Sequence, residues 1–379
     1  MGKCHGSTLL WDPSPSFVHV LRPPDCQSQE SRTSPPEISA DGTFKILQVA
    51  DMHFGNGKVT RCRDVLESEF EYCSDLNTTR FLEKMIQLEN PDFVAFTGDN
   101  IFGSSASDAA ESLLEAFGPV MKSGIPWAAV LGNHDQESTM TREELMSFIS
   151  LMDFSLSQTF PSVEDTPNRN KQHAVPKIDG FGNFDLRVWG APGSSFANGS
   201  VLNLYFLDSG DRAFVDGIRT YDWIKESQLN WLRRVSQKVQ EQKLDSKESP
   251  IVSPHSTTSP SLAFFHIPIP EIKQGPIYNV VGEYREWVAC SLVNSGVLNT
   301  LVSMGDVKAV FIGHDHKNDF CGTLGGLWFC YGGGLGIMVM VRLDGQEEAE
   351  SFWQNLRKGK SHGVEWKGSR PGNDLMTRS

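Results

Sequence analysis

Residues 92–102 read DFVAFTGDNIF, and this stretch decides how the rest of the chain is interpreted. Its first half is a short apolar run rich in β-forming residues, which is typical of a buried strand. The run breaks at Gly98 and is followed at once by Asp99. Ligands of open α/β sheets bind outside the carboxyl ends of the strands. The sequence therefore predicts that Asp99 lies at a binding edge.

Four other apolar runs end in the same way, each followed by polar side chains that can bind a metal ion. Along the chain, helical patterns separate the runs that precede Asp51, Asp99 and Asn133. This order predicts parallel βαβ units whose strand ends meet at one edge. The side chains in question are Asp51 and His53, Asn133 with His134 and Asp135, His266, and His314 with His316.

Each of these residues has an ordinary explanation when it is taken alone. An Asp after a strand often caps a turn, and a single His such as His266 is more often a hydrogen-bonded core residue than a ligand. Carboxylate oxygens, an amide oxygen and imidazoles that converge on one edge are instead the ligand set of transition-metal ions. The joint pattern therefore favours a site for two metal ions.

The composition limits the classes of partner. The 379 residues are 39% hydrophobic, with 23 Phe and 9 Trp, which is enough for a large core. A formal net charge of −13 argues against a nucleic-acid surface, because phosphate backbones are bound by clustered Lys and Arg. No apolar run reaches the 18 residues of a transmembrane helix. An anionic substrate would then be attracted by bound metal ions.

The chain is predicted to contain one main domain. Residues 1–43 are rich in Pro, Ser and charged side chains and are predicted to be a flexible arm. Residues 44–345 form the domain, and residues 346–379 are predicted to be a disordered tail. Within the domain, a helix is expected over residues 284–301.

The cysteines and sequons bear on the cellular compartment. Cys62 with Cys73, and Cys321 with Cys330, are spaced so that each pair could close as a disulfide. Sequons at Asn77 and Asn198 also point to a secreted or extracellular protein. Free thiols and unused sequons in a cytoplasmic protein are the alternative, because no leader peptide is visible.

The ordered motifs resemble those of a known family. Asp51-x-His53, Gly98-Asp99, Gly132-Asn133-His134-Asp135, His266 and Gly313-His314-x-His316 resemble, in this order, the signature of calcineurin-like metallophosphoesterases. The stretches CSDLNTTRFL, FLDSG, FFHIPIPE and YGGG are similar to small plant purple acid phosphatases. The resemblance covers about residues 44–336.

This resemblance implies a fold, a metal centre and an activity. The fold would be a four-layer α/β/β/α sandwich with mixed sheets and the site at the carboxyl edge of the strands. Two divalent or mixed-valence ions of Fe, Mn or Zn would activate a bridging hydroxide for in-line attack on a phosphomonoester. The implied ligands are Asp51, His53 and His316 for the first ion, Asn133, His266 and His314 for the second, and Asp99 for both.

Two further residues receive catalytic roles from the same resemblance. His134 is left over as a non-ligand and would protonate the leaving alkoxide or stabilise the charge on the phosphoryl oxygens. Asp135 is its neighbour in the chain and would fix the tautomer of the imidazole.

The chain departs from purple acid phosphatases at two positions. These enzymes carry an iron-binding Tyr three residues after the bridging Asp, where this chain has Phe102. They usually have Gly where this chain has His53, so one ligand is lost and another gained. The resemblance thus implies a colourless site suited to divalent ions.

Two other functions remain as alternatives to a phosphomonoesterase. A phosphodiesterase would use the same metal site with different loops. A catalytically inactive, phosphatase-like binding protein would keep the fold without turnover. Asp211 and Arg212 lie where they could reach a substrate, and the sequence does not decide their role.

Overall fold

The computed structural model describes residues 35–39, 42–57, 59–61, 67–162, 177–194, 197, 199–245, 259–334 and 337–342. The strands are β1 (Thr43–Val49), β2 (Phe93–Thr97), β3 (Trp127–Val130), β4 (Phe184–Trp189), β5 (Ser200–Phe206), β6 (Arg212–Val215), β7 (Ile218–Tyr221), β8 (Ser261–Phe264), β9 (Tyr278–Val281), β10 (Val307–Ile312), β11 (Cys321–Leu324), β12 (Leu327–Tyr331) and β13 (Ile337–Arg342). The helices are α1 (Glu67–Phe70), α2 (Asp75–Glu89), α3 (Ala109–Ser123), α4 (Arg142–Ser150), α5 (Glu226–Asp245), α6 (Pro270–Gln274) and α7 (Val297–Met304).

The strands form two mixed sheets and a separate hairpin. The first sheet has the order β13-β1-β2-β3, in which β1, β2 and β3 are parallel and β13 is antiparallel. The second has the order β4-β5-β8-β10-β12-β11-β9, with β5, β8, β10 and β12 parallel to one another. Strands β6 and β7 form the hairpin.

The two sheets pack face to face with helices outside them. Phe93 of β2 contacts Phe206 of β5 across the interface, with ring centroids 6.4 Å apart. On the outer face of the first sheet, Phe96 packs against Phe117 of α3 at 4.8 Å. A second apolar cluster joins the outer face of the other sheet to α5 and α7. The predicted four-layer α/β/β/α sandwich is therefore confirmed.

The register of the parallel strands brings their carboxyl ends to one level. Val49 pairs with Phe96, and Thr97 with Val130, so β1, β2 and β3 end together. In the second sheet Phe264 pairs with Phe311, which aligns the ends of β8 and β10. The loops that carry the predicted site residues consequently leave the two sheets at the same edge.

The prediction of a helix over residues 284–301 is wrong for most of that range. The described helix in this region is α7, which begins only at Val297. Asn318 Oδ1 accepts hydrogen bonds from the backbone N–H groups of Arg285 and Glu286, and Asp315 Oδ1 accepts one from Ala289. Ala289 N–H would bond within a helix that starts at residue 284, so its bond to Asp315 competes with helix formation. The contacts with Asn318 and Asp315 hold the segment as a loop beside His316.

The segment predicted as a flexible arm contacts the domain at its end. The N–H of Ile38 donates to Trp189 O, the N–H of Trp189 donates to Pro36 O, and the Ile38 side chain is buried. The rest of the predicted arm up to residue 34, and the predicted tail from 346, lie outside the described residues.

The disulfide between Cys321 and Cys330 is confirmed and links β11 to β12. Cys73 is also disulfide-bonded, while its predicted partner Cys62 and the sequon residue Asn198 lie outside the described residues. Across the described ranges, no helix is both long and apolar enough to span a bilayer.

Asp75 anchors the loop that carries His53, and it provides a test of stability against pH. Its carboxylate accepts a hydrogen bond of 2.9 Å from Gly55 N–H, and burial raises the pKa of Asp75 to about 6. An acid whose pKa is higher in the folded state than in the unfolded state binds its proton more tightly when folded. Ionisation of Asp75 therefore lowers the free energy of unfolding as the pH rises through about 6.

The free energy of unfolding of Asp75→Asn, taken relative to that of the wild type, should rise by about 2 to 3 kcal/mol from about pH 4 to about pH 7. The variant has no carboxylate to ionise at this position, so it escapes the loss that the wild type undergoes. Urea unfolding at the two pH values measures this difference. Asp153→Asn, on an exposed turn, is the matched control for removal of one carboxylate. A difference between Asp75→Asn and wild type that does not change with pH would refute the assignment.

Candidate metal centre

Four of the predicted ligands hold unusual backbone conformations. Asp51, His53, Asp99 and His314 have φ values of 54°, 48°, 48° and 77°. Eight described non-glycine residues have positive φ, so half of them lie in this one site. Such conformations cost about 1 to 3 kcal/mol each and cluster at functional sites, where surrounding contacts hold them.

Backbone hydrogen bonds hold the two loops of the first sheet together. Asp51 N–H donates to Gly98 O at 3.1 Å, and His53 N–H donates to Asp99 O at 2.9 Å. Gly132 must lack a side chain, because a Cβ there would lie 2.1 Å from Asp99 Oδ1. The strand ends thereby approach closely enough for their side chains to share a site.

A first group of ligand atoms consists of Asp51, His53, Asp99 and His316, all within 4.8 Å of one another. The Nε2 atoms of His53 and His316 are 2.9 Å apart. His53 Nε2 lies 3.8 Å from Asp51 Oδ1 and 3.6 Å from Asp99 Oδ2. Two imidazoles and two carboxylates thus face a common point.

A second group consists of Asp99, His266 and His314, under the same 4.8 Å limit. His266 Nε2 lies 3.2 Å from Asp99 Oδ2 and 3.3 Å from Asn133 Oδ1. His314 Nδ1 lies 3.3 Å from His266 Nε2. Asp99 belongs to both groups, so the two groups adjoin.

Supporting contacts orient these ligands. His266 is fully buried, and its Nδ1 lies 2.8 Å from Thr97 O. Because a carbonyl only accepts, Nδ1 carries a proton, and Nε2 is the ring nitrogen that faces Asp99 and Asn133. Asp51 accepts from the backbone N–H of His314 with both oxygens, at 3.1 and 3.0 Å.

Burial and charge set the protonation of the site. Burial lowers the pKa of His53 to about 3 and that of His314 well below its usual value, so both rings are neutral at pH 7 with a lone pair to offer. Burial also acts on Asp99 and His266, but their mutual attraction prevails: the pKa of Asp99 is lowered and that of His266 is raised. The Asp99 carboxylate thus favours positive charge on the group beside it.

The donor set fits metal ions. Two carboxylates, one amide oxygen and four imidazoles suit Mn, Fe or Zn, whereas Ca and Mg prefer oxygen ligands only. His53 Nδ1 and His314 Nε2 are buried without hydrogen-bond partners, and neutral, closely spaced imidazoles have little reason to assemble without a cation. The structure therefore brings together all seven sequence-predicted ligands in an arrangement that could hold two ions.

His134 lies beside the ligands, but Asp135 does not perform the expected task. Asp135 accepts hydrogen bonds from the backbone N–H of Ile101 at 2.9 Å and of Gly132 at 2.7 Å. The carboxylate that contacts the His134 ring is that of Glu137, whose Oε2 lies 2.9 Å from Nδ1. The prediction that Asp135 fixes the His134 tautomer is therefore wrong about the contact, because Asp135 is fully buried under the loop and ties its backbone together.

Phe102 forms an apolar wall on the same side. Its ring centroid is 4.8 Å from that of His134 and 5.6 Å from that of His53. A phenylalanine ring has no oxygen that could bind a metal ion. Phe102 instead packs against two imidazoles of the site.

Residues of the β6–β7 hairpin complete the surroundings. Arg212 Nη1 donates to Asn133 O at 2.7 Å, and Tyr221 packs edge-on against His314 with centroids 4.3 Å apart. Arg212 and Tyr221 are directly paired across the hairpin. The sequence gives no signal for a role of Tyr221, and it offers Arg212 only as a residue that could reach a substrate.

The sequence matches a known protein family. A family model described as calcineurin-like phosphoesterase matches residues 44–318. The chain belongs to the calcineurin-like phosphoesterase family. The motif resemblance is thereby confirmed at the level of the family.

This calcineurin-like phosphoesterase is similar to three named relatives. It is 59% identical over 88% of its length to an Arabidopsis thaliana protein named "Probable inactive purple acid phosphatase 28", covering 80% of that protein. It is 47% identical over 85% of its length to "Probable inactive purple acid phosphatase 29" of the same plant, again covering 80%. With "Phosphatase DCR2" of Saccharomyces cerevisiae it shares 34% identity over 85% of its own length and 53% of the yeast protein.

Proposed function

We propose that the protein is a dinuclear-metal phosphatase that hydrolyses phosphomonoesters. The observation that carries this proposal is the sharing of Asp99 by two adjoining ligand groups. Asp51, His53 and His316 would hold one ion, Asn133, His266 and His314 the other, and Asp99 both. A pair of such ions attracts the phosphate, activates water and stabilises the entering and leaving oxygens.

The chain's own contribution to the reaction is a proton. The oxygen of water forms the new P–O bond while one water proton passes to solvent, and the bond from phosphorus to the ester oxygen breaks with its electron pair on that oxygen. His134 Nε2–H then gives its proton to the leaving oxygen, because Nδ1 is turned away towards Glu137. The ring, which is partly exposed and 5.3 Å from that of His53, is accessible to a substrate at the ligand cluster.

The printed names of the plant relatives favour a second candidate, an inactive protein that binds phosphate or a partner. Every ligand position is nonetheless filled in this chain, and His134 is in contact range of the site, which supports turnover. The yeast relative is named a phosphatase without that qualification. A phosphodiesterase would use the same residues.

A panel of phosphate monoesters and diesters, assayed with protein of known metal content, separates these functions. Release of inorganic phosphate from monoesters supports the proposal. Cleavage of diesters alone favours a phosphodiesterase. Two bound ions without turnover of any ester would favour the binding protein.

The metal-loaded protein is expected to be colourless. Phe102 has no oxygen to bind ferric iron, so no phenolate charge-transfer band can arise from this position. Absorption spectra of the protein purified from its native source test this, with a purple acid phosphatase that has the iron-binding Tyr as positive control. A visible charge-transfer band from the native protein would contradict the assignment.

We also assign the protein to an oxidising compartment, as a secreted or extracellular enzyme. The disulfide between Cys321 and Cys330, the second disulfide at Cys73 and the exposed sequon at Asn77 support this. Glycan analysis and thiol counting on the native protein test the assignment.

A further inference from the structure

The side chains around His134 form a connected chain of contacts outside the metal ligands. Glu137 bridges two of them, with Oε2 2.9 Å from His134 Nδ1 and Oε1 2.9 Å from Arg212 Nη1. All three side chains are only 24 to 25% exposed. Their mutual attraction is consequently screened less than that of surface ion pairs.

The contact with Glu137 determines which way the imidazole faces. A carboxylate accepts hydrogen bonds, so Nδ1 must be the donor in this pair. Nε2 is then the ring nitrogen left for the substrate side. A ring without this partner could rotate or exchange tautomers, and a general acid that is misplaced by about 1 Å can lose about 10²-fold in rate.

Arg212, on the β6–β7 hairpin, contacts both the Glu137 carboxylate and the His134 ring. Its Nη2 lies 3.4 Å from both ring nitrogens of His134, which places the guanidinium over the ring face rather than on one lone pair. Its Nη1 donates to Asn133 O and to Asp211 Oδ1, at 2.7 and 3.0 Å. The guanidinium is therefore fixed to the same loop that supplies Asn133 and His134.

Phe102 packs against a further side of the His134 ring. Its centroid lies 4.8 Å from that of His134. The imidazole is thus bounded by an aromatic wall, a guanidinium and a carboxylate, while its Nε2 side remains available.

We propose that Glu137, held by Arg212, is the positioning residue that orients His134 for proton transfer to the leaving group. This proposal rests on the proposed phosphatase function. It assigns the role expected of Asp135 to a residue two positions further along the chain, and it gives the β6–β7 hairpin a task in catalysis. Glu137 contacts the side chains of His134 and Arg212 and acts only through His134.

The test compares two esters that differ in their need for a proton. The leaving group of an alkyl phosphate such as glycerol 2-phosphate is a strongly basic alkoxide, whereas that of 4-nitrophenyl phosphate is a stable phenolate. Glu137→Ala should lower kcat for the alkyl ester by about 10²-fold, and that for the aryl ester by less than about 3-fold. Metal content and KM should stay within about 2-fold of wild type, since no ligand is removed.

Three further variants sharpen the result. Glu137→Gln keeps an oxygen acceptor and should retain about a tenth or more of the wild-type rate on the alkyl ester. Glu143→Ala, an exposed glutamate on α4, is the matched control and should behave as wild type. His134→Ala combined with Glu137→Ala should be no slower than His134→Ala alone, because the carboxylate acts through the ring.

Equal losses on both esters, or additive losses in the double variant, would overturn the proposal. A second readout does not depend on turnover: crystal structures of the zinc-loaded wild type and Glu137→Ala. The His134 ring should be ordered against Glu137 in the wild type and rotated or disordered in the variant; an unchanged ring would also overturn the proposal. A wild type that binds two ions but hydrolyses neither ester would instead defeat the phosphatase function, and the crystal comparison would still decide the positioning role.

Discussion

Asp99→Asn is expected to lose both metal ions and at least about 10³-fold in kcat/KM for phosphate monoesters. Asp99 is the residue common to the two ligand groups, and its carboxylate is 1% exposed. Asp99 Oδ2 faces both groups, 3.6 Å from His53 Nε2 and 3.2 Å from His266 Nε2. An amide is nearly isosteric but carries no charge, so it attracts two cations far less strongly. The loss should therefore affect both ions rather than one.

Elemental analysis and an aryl-phosphate assay on the same preparations measure this effect. Asp306→Asn is the matched control, since Asp306 is another buried carboxylate, hydrogen-bonded to Tyr205 and Ser261 rather than to the ligand cluster. It should keep both ions and the wild-type activity, apart from any loss of stability. A metal content of two ions per chain in Asp99→Asn would disprove the bridging role.

His134→Ala should separate catalysis from metal binding. Its kcat on an alkyl phosphate is expected to fall by about 10²- to 10⁴-fold, because the leaving alkoxide then departs without a proton from the chain. Its metal content should stay at the wild-type value, since no ligand atom of either group belongs to this ring. Single-turnover and steady-state assays measure the rate, and elemental analysis measures the metal.

His316→Ala provides the contrast for this prediction. His316 Nε2 lies 2.9 Å from His53 Nε2 and 3.6 Å from Asp51 Oδ1, within the first ligand group. Its removal should reduce metal content as well as rate. If His134→Ala lost metal in the same way, or kept the full rate on alkyl esters, the assignment of His134 as proton donor would fail.

The sequence predicted the ligand cluster because strand ends are visible in it. Each ligand follows an apolar run, and the parallel topology then requires these ends to meet. The pairing of Thr97 with Val130 and of Phe264 with Phe311 shows how that requirement is met in the two sheets. The face-to-face packing of the sheets followed from the family resemblance rather than from periodicity.

The supporting contacts were less accessible to sequence reasoning. Adjacency in the chain suggested Asp135 as the partner of His134, yet the turn after Asn133 points that carboxylate inward to backbone N–H groups. The spacing of His134 and Glu137 was a signal, since side chains three residues apart in a turn can meet. Arg212 arrives on a hairpin whose position depends on tertiary contacts with Asn133, which no local pattern encodes.

The loop beside His316 illustrates the same limit. A helix is expected from residue 284, but Ala289 N–H, which a helix would bond to the carbonyl of Arg285, donates instead to Asp315 Oδ1, 26 residues further along the chain. Such competition between distant side chains and local hydrogen bonds overrides helical propensity.

The central claim is that one carboxylate, one amide and four imidazoles, with Asp99 between them, hold two ions for phosphate hydrolysis. Elemental analysis of the protein purified from its native source, followed at once by a phosphate-ester assay on the same sample, tests it most directly. The expected result is two transition-metal ions per chain together with release of inorganic phosphate that is lost when a chelator removes the ions. Protein that carries no stoichiometric metal, or whose phosphate release survives removal of the ions, would contradict the claim.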